Sequence, residues 1–165
     1  MKKQQIYLDT SVINFLFADD APDFRRVTES FFETHARKYR LFVSRVVLME
    51  MERDPDERHR ELLFGVLRAH PIEMLSSALS AEVEHLALAY VAAGAIPASK
   101  PEDALHVAYA TVFAMDVLLS WNFRHLANIR REARILAVNR QEGYRHPLRI
   151  VSPLEVEDED EDDDE

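Results

Sequence analysis

Five short apolar runs, each separated from the next by longer stretches patterned as helices, constrain this chain more than any other feature. Residues 6–8, 41–43, 72–75, 117–119 and 148–151 are rich in Ile, Val, Leu and aromatics and read as strands. Helices are expected near 11–17, 23–37, 45–53, 56–69, 80–93, 101–115 and 123–139. In the fifth of these, Val83, Leu86, Ala87 and Tyr90 recur at helical spacing; in the sixth, Ala104, Val107, Ala108, Thr111 and Val112 do the same. Strands that alternate with helices imply an α/β protein with a short, mostly parallel sheet covered on both faces, a three-layer α/β/α sandwich. In such sheets ligands collect at the carboxyl ends of strands, so those ends are where chemistry is sought.

With 165 residues the chain suits one domain, expected over 1–154. The absence of cysteine rules out disulfides and cysteine-rich zinc sites. Three glycines leave no room for a glycine-rich phosphate loop. The leading apolar run, residues 6–8, is too short for a signal peptide, and no run approaches the roughly 20 residues of a membrane span. A cytoplasmic protein without membrane attachment is the expectation. The net charge of -10 is misleading as a whole-chain figure, because ten of the eleven residues from Glu155 to Glu165 are acidic. The body that remains is neutral, with 20 acidic and 20 basic residues. Residues 117–154 carry seven arginines against two glutamates, a basic segment able to meet phosphates. Scattered solvated arginines are the plainer alternative. The acidic tail, 155–165, is expected to be disordered, since unbroken like charge resists packing.

Asp9 ends the first strand and is followed by Thr10 and Ser11. All three are good helix N-caps, yet three candidates exceed what one cap requires, so Asp9 is read as a site residue. Glu50 is the only polar side chain from Val46 to Met51 and shares a helical face with Val46 and Val47. A carboxylate on such a face is costly unless a cation or hydrogen bonds meet it. A helix edge reaching water, or a pair with Arg53, is the competing account. Asp103 follows Pro101, a helix-start signal, and Ser99 with Glu102 has capping-box spacing that would free Asp103 for another task. If Lys100 were the cap instead, Asp103 would merely favour the helix dipole. His106 lies one turn on, either touching the site or simply packed. Asn122 sits at the end of the fourth strand as a ligand or as a helix cap, and Trp121 as core or as a base-stacking platform. Magnesium and manganese prefer such hard oxygen ligands. One or two of these ions can activate water and steady a phosphodiester's leaving oxygen.

Four segments taken in order resemble the PIN domain family, in particular the VapC-like toxins of toxin–antitoxin pairs. They are Tyr7-Leu8-Asp9-Thr10-Ser11-Val12-Ile13, Val43-Ser44-Arg45-Val46-Val47-Leu48-Met49-Glu50, Pro101-Glu102-Asp103-Ala104-Leu105-His106-Val107-Ala108 and Val117-Leu118-Leu119-Ser120-Trp121-Asn122-Phe123. The resemblance implies a Mg2+- or Mn2+-dependent endoribonuclease that cleaves RNA, a cognate antitoxin that blocks the site, and pairing as a homodimer. Asp9, Glu50 and Asp103 fall on the family's acidic metal-site positions, as catalytic residues and metal ligands. The fourth position is often acidic in the family and here is Asn122, which puts a second metal in doubt. Arg124, His125, Thr10 and Ser11 are substrate-contact candidates. Asp116 precedes its strand and is expected to point away. Asn122 also favours a rival, a PIN-like domain that grips RNA or a protein partner without cutting. A phosphoryl-accepting receiver domain fits poorly, because Leu8-Asp9 offers one acid where a pair is wanted and Leu75-Ser76 offers none at strand three.

Overall fold

A computed structural model describes residues 2–163, with side chains as far as Asp158. The five expected strands form one sheet: β1 (Gln5–Leu8), β2 (Arg40–Val43), β3 (Ile72–Met74), β4 (Val117–Leu119) and β5 (Arg149–Val151). Their order is β3-β2-β1-β4-β5 and every pairing is parallel. The sheet is flanked by helices in the three-layer arrangement that the alternating pattern predicts. β1 is central, and Ile6, Tyr7 and Leu8 are fully buried, which explains why this run is continuously apolar rather than alternating. The chain proceeds from β1 to β2 and β3 on one side, then returns to lay β4 on the other flank of β1. That reversal puts a topological switch beside β1, and crevices at the carboxyl ends of strands open at such switches.

The helices are α1 (Thr10–Asn14), α2 (Pro22–Ser30), α3 (Arg45–Glu52), α4 (Glu57–Ala69), α5 (Ser80–Ala92), α6 (Pro101–Val112), α7 (Ile129–Gln141) and α8 (Pro153–Asp163). The stretch expected as one helix over 23–37 is α2 followed by a π turn, Phe31–His35, and a 3-10 turn, Ala36–Lys38. The widened turn accommodates adjacent buried rings, Phe31 and Phe32, whose centroids lie 5.2 Å apart edge to face. The helix expected over 123–139 starts later. Asn128 caps α7 by accepting from the Arg131 backbone N–H at 2.9 Å, and residues 122–128 form a turn instead. That turn matters for the site. A tail without structure was expected from residue 155, yet its described part belongs to α8. Pro153 suits a first helical turn, Glu155 faces the positive end of the helix dipole, and Val156 is buried where α8 packs on α2 and the π turn. Side chains beyond Asp158 lie outside the described residues.

α5, α6 and α7 share a buried polar triangle. The Tyr90 hydroxyl donates to Asn139 Oδ1 at 2.5 Å, and Thr111 Oγ1 lies 3.1 Å from that hydroxyl and 3.2 Å from Asn139 Nδ2. Tyr90→Phe strands a buried amide oxygen, so a loss of about 1–3 kcal/mol is expected. The urea midpoint reads this; an unchanged midpoint would mean that Asn139 finds another donor.

Candidate active site

The carboxyl ends of β1 and β4 meet around Asp9. Asp9 is 3% exposed and stands at the cap position of α1. One oxygen accepts from Ser11 Oγ and the other from Ser120 Oγ, both at 2.5 Å. Ser120 is itself buried at the end of β4 and accepts the Asn122 backbone N–H at 3.0 Å, while Ser11 Oγ accepts the Trp121 N–H at 2.9 Å. The two strand ends are thus stitched together through the Asp9 carboxylate. Burial raises the Asp9 pKa, against the lowering influence of His106, Ser11 and Ser120.

Glu50 arrives from the other neighbour of β1. Ser44 ends the segment after β2 and caps α3, accepting the Val46 N–H at 3.3 Å. One and a half turns later Glu50 Oε1 accepts Thr10 Oγ1 at 2.9 Å and His106 Nε2 at 2.5 Å. Hydrogen bonds therefore meet the carboxylate that its apolar neighbours made costly. Arg53 does not pair with it; that guanidinium binds Glu102 at 2.8 Å. The capping box proposed for α6 is absent for the same reason. Lys100 occupies the cap position, Glu102 turns to Arg53, and no side chain caps the helix.

Asp103 still faces the site. Its Oδ2 accepts from Asn122 Nδ2 at 3.1 Å, while Asn122 Oδ1 accepts the His125 N–H at 3.0 Å. Asn122 is therefore both a cap of the 122–128 turn and a partner of an acid. Burial lifts the Asp103 pKa most, His106 pulls it back, and the Asp9 and Glu50 charges lift it again, to about 6. Asp9 and Glu50 are thus both within electrostatic reach of Asp103. A cleft of about 420 Å³ is lined by Glu50, Asp103, Asn122, Arg124, His125, Lys100 and Glu102. Acidic and basic side chains share its lining. The 122–128 turn, which replaces the start of the expected helix, contributes Asn122, Arg124 and His125 to it. Burial lowers the His125 pKa, with help from the Arg124, Arg131 and Lys100 charges, and its Nδ1 has no hydrogen-bond partner among the described residues. Asp9 is not on the cleft wall, and Thr10 and Ser11 give their hydroxyls to Glu50 and Asp9 rather than to the cleft.

His106 was not separated from an ordinary packed histidine by sequence. It is both buried and bonded to Glu50, and its i+3 offset from Asp103 was the available signal. Trp121 is core, its Nε1 donating to Thr28 Oγ1 at 2.9 Å. Asp116 lies at the opposite end of the sheet, where Oδ2 accepts the Gln5 N–H at 2.8 Å.

The donor set suits a hard cation: Glu50 and Asp103 line a polar cleft, and Asp9 lies near enough to Asp103 for its charge to raise the Asp103 pKa. Among the described residues no group of three or more His, Cys, Asp or Glu side chains is placed to hold a metal ion. Magnesium does not require one, since it usually keeps several waters and takes one or two carboxylates. Asn122→Asp would replace a donor to Asp103 with a second negative charge. It is expected to cost about 1 kcal/mol without metal and to enlarge the manganese-induced rise in melting temperature. A metal-free melt identical to wild type would remove Asn122 from the acidic network.

No match was found among curated proteins. Among solved structures, a chain in the crystal structure of VapBC2 from Rickettsia felis bound to a DNA fragment from their promoter superposes with a TM-score of 0.56 at 15% identity, covering 90% of this chain and 98% of that one. At that identity the likeness is one of fold. The PIN domain family model matches residues 6–132, from β1 through Asp9, Glu50, Asp103 and Asn122 into α7. That match spans most of the sequence and every acidic site position, and the chain belongs to the PIN domain family.

Proposed function

We propose that this PIN domain is a metal-dependent endoribonuclease, the toxin of a type II toxin–antitoxin pair, acting in the cytoplasm. PIN domains are generally nucleases that use divalent metal ions. The observation that carries the reading is a single cleft whose lining combines the acids Glu50, Glu102 and Asp103 with Lys100, Arg124 and His125. Asp9, Glu50 and Asp103 would hold Mg2+ or Mn2+, with Asn122 as a weaker neutral donor or a water-orienting amide. Such an ion, when bound, supplies charge neutralisation and water activation for phosphodiester hydrolysis. The protein's own groups do the rest. Ser11 and Ser120 orient Asp9, Thr10 and His106 orient Glu50, and Arg124 with Lys100 attracts the RNA backbone. The fold shared with a chain from a VapBC2 structure supports an antitoxin partner encoded for this chain, and a homodimer belongs to the same reading.

The test is incubation of the full chain with a mixed pool of structured RNAs, with manganese or with chelator. Cutting that requires the metal supports the nuclease. A folded protein that binds manganese and RNA but does not cut supports the second reading, a binding-only PIN domain. Asn122, an amide where the family often has an acid, is the observation that favours it.

A further inference from the structure

Behind Glu50 runs a buried hydrogen-bonded line that the metal-site reading does not use. The Tyr7 hydroxyl, in the middle of β1, lies 2.7 Å from Ser44 Oγ and 2.7 Å from His106 Nδ1. His106 Nε2 lies 2.5 Å from Glu50 Oε1. Tyr7, Ser44 and His106 are each 2% exposed or less, and they come from β1, the end of β2 and α6. Donor direction follows from chemistry. An ionised carboxylate only accepts, so His106 Nε2 carries the hydrogen whether the ring is neutral or charged. A tyrosine phenol is an O–H donor at neutral pH, so Tyr7 keeps its proton. With a neutral ring, Ser44 donates to Tyr7, Tyr7 to His106 Nδ1, and His106 to Glu50, leaving every polar atom in the line satisfied.

Both bonds to Glu50, from His106 and from Thr10, fall on the same oxygen, Oε1. Oε2 has no hydrogen bond among the described residues, and Glu50 lines the cleft. We infer that His106, locked by Tyr7 and Ser44, is a positioning residue that anchors Glu50 through Oε1 and so presents Oε2 alone to the cleft cation. Glu50 then binds through one oxygen, and its carboxylate orientation is set by the core before any cation arrives. This rests on the metal-site reading for the cation and on the geometry alone for the anchoring.

Outer partners of ligating side chains typically change metal affinity or activity by about 10–100-fold when removed. The experiment uses the full chain and titrates Mn2+, reading the free ion by electron paramagnetic resonance and taking as the site component the binding lost in Asp9→Asn. His106→Ala is expected to weaken that component by about 10-fold or more. His106→Gln, whose amide nitrogen can still donate to Oε1, is expected to recover most of it. Tyr7→Phe, which removes the bonds to His106 Nδ1 and Ser44 Oγ but leaves His106 itself in place, should fall between. In cleavage assays the loss should appear in kcat with little change in KM for RNA, a split that a loosened core would not produce. A folded His106→Ala with wild-type manganese affinity overturns the inference, as does a His106→Gln no better than His106→Ala.

The proton NMR spectrum separates this inference from the metal reading. The buried Nε2–H of His106 should give a low-field imidazole resonance in metal-free protein, lost in His106→Gln and shifted upfield in Glu50→Gln. That signature without site-specific manganese binding would leave the anchoring standing and sink the metal reading alone. Absence of the resonance from wild type, or its indifference to Glu50→Gln, overturns the anchoring.

Discussion

Asp9→Asn is expected to reduce manganese-dependent RNA cleavage by at least about 100-fold while the protein stays folded. The lower bound comes from outer partners of ligands, whose removal already costs about 10–100-fold; a ligand should cost more. The change is nearly isosteric at a buried position, and the serine hydroxyls of Ser11 and Ser120 can rotate to suit an amide. It also removes one of the charges that raise the Asp103 pKa, so the metal-free variant should be at least as stable as wild type. Gel analysis of a mixed structured RNA pool, with manganese or chelator, reads the first expectation; a thermal melt in chelator reads the second. If the variant cut as fast as wild type, Asp9 would be a structural staple between β1 and β4 and the nuclease assignment would need another centre. If it failed to fold, the staple would outweigh the charge relief, and Asp103→Asn would become the informative variant.

Metal and pH should act on stability through the same carboxylates, with opposite signs. The folded pKa of Asp103 is about 6, against an ordinary value of 3.8. A carboxyl whose folded pKa is raised stabilises most below its unfolded pKa, and that stability is lost as pH rises through the folded value. Metal-free wild type should therefore lose ground to Asp103→Asn between about pH 4 and pH 7, the two converging near pH 4. Asp9, also raised by burial, pushes the same way. Comparing the two variants cancels the groups that work in the other direction, such as Glu102, whose pKa Arg53 lowers. Manganese should reverse the ranking at pH 7, because the ion binds the ionised form. At about 100 times the dissociation constant the stabilisation is roughly 2.7 kcal/mol, a rise of roughly 5–10 °C in melting temperature for a chain of this size. Glu50→Ala and Asp103→Asn should lack most of that rise. A rise of equal size in Glu50→Ala would place the bound manganese elsewhere, the acidic C-terminal run being the first place to look.

Sequence alone determined the layers and pointed to the strand ends as the candidate site. All five apolar runs became strands, and the signal was cleanest in β1 and β4, where strands buried on both faces must be apolar throughout; the edge strand β3 leaves Glu73 and Met74 exposed. Asp9 was marked by its place at a strand end, and Glu50 by a carboxylate set among apolar neighbours, since an unmet charge there would be too costly to keep. Tertiary structure decided what local pattern could not. Glu102 had capping-box spacing, but it pairs instead with the guanidinium of Arg53, the residue that follows α3. Asn122 and Asn128 both had the chemistry of a cap, and packing selected Asn128 for α7, which leaves a turn that carries Arg124 and His125 to the cleft. His106 looked like any packed histidine, because its partners, Tyr7 and Glu50, lie 99 and 56 residues away in the chain. Residue type and spacing report what a side chain can do within its own element. Which distant group comes within hydrogen-bond reach depends on how the sheet brings β1, β2 and α6 together, and only the folded chain contains that distance.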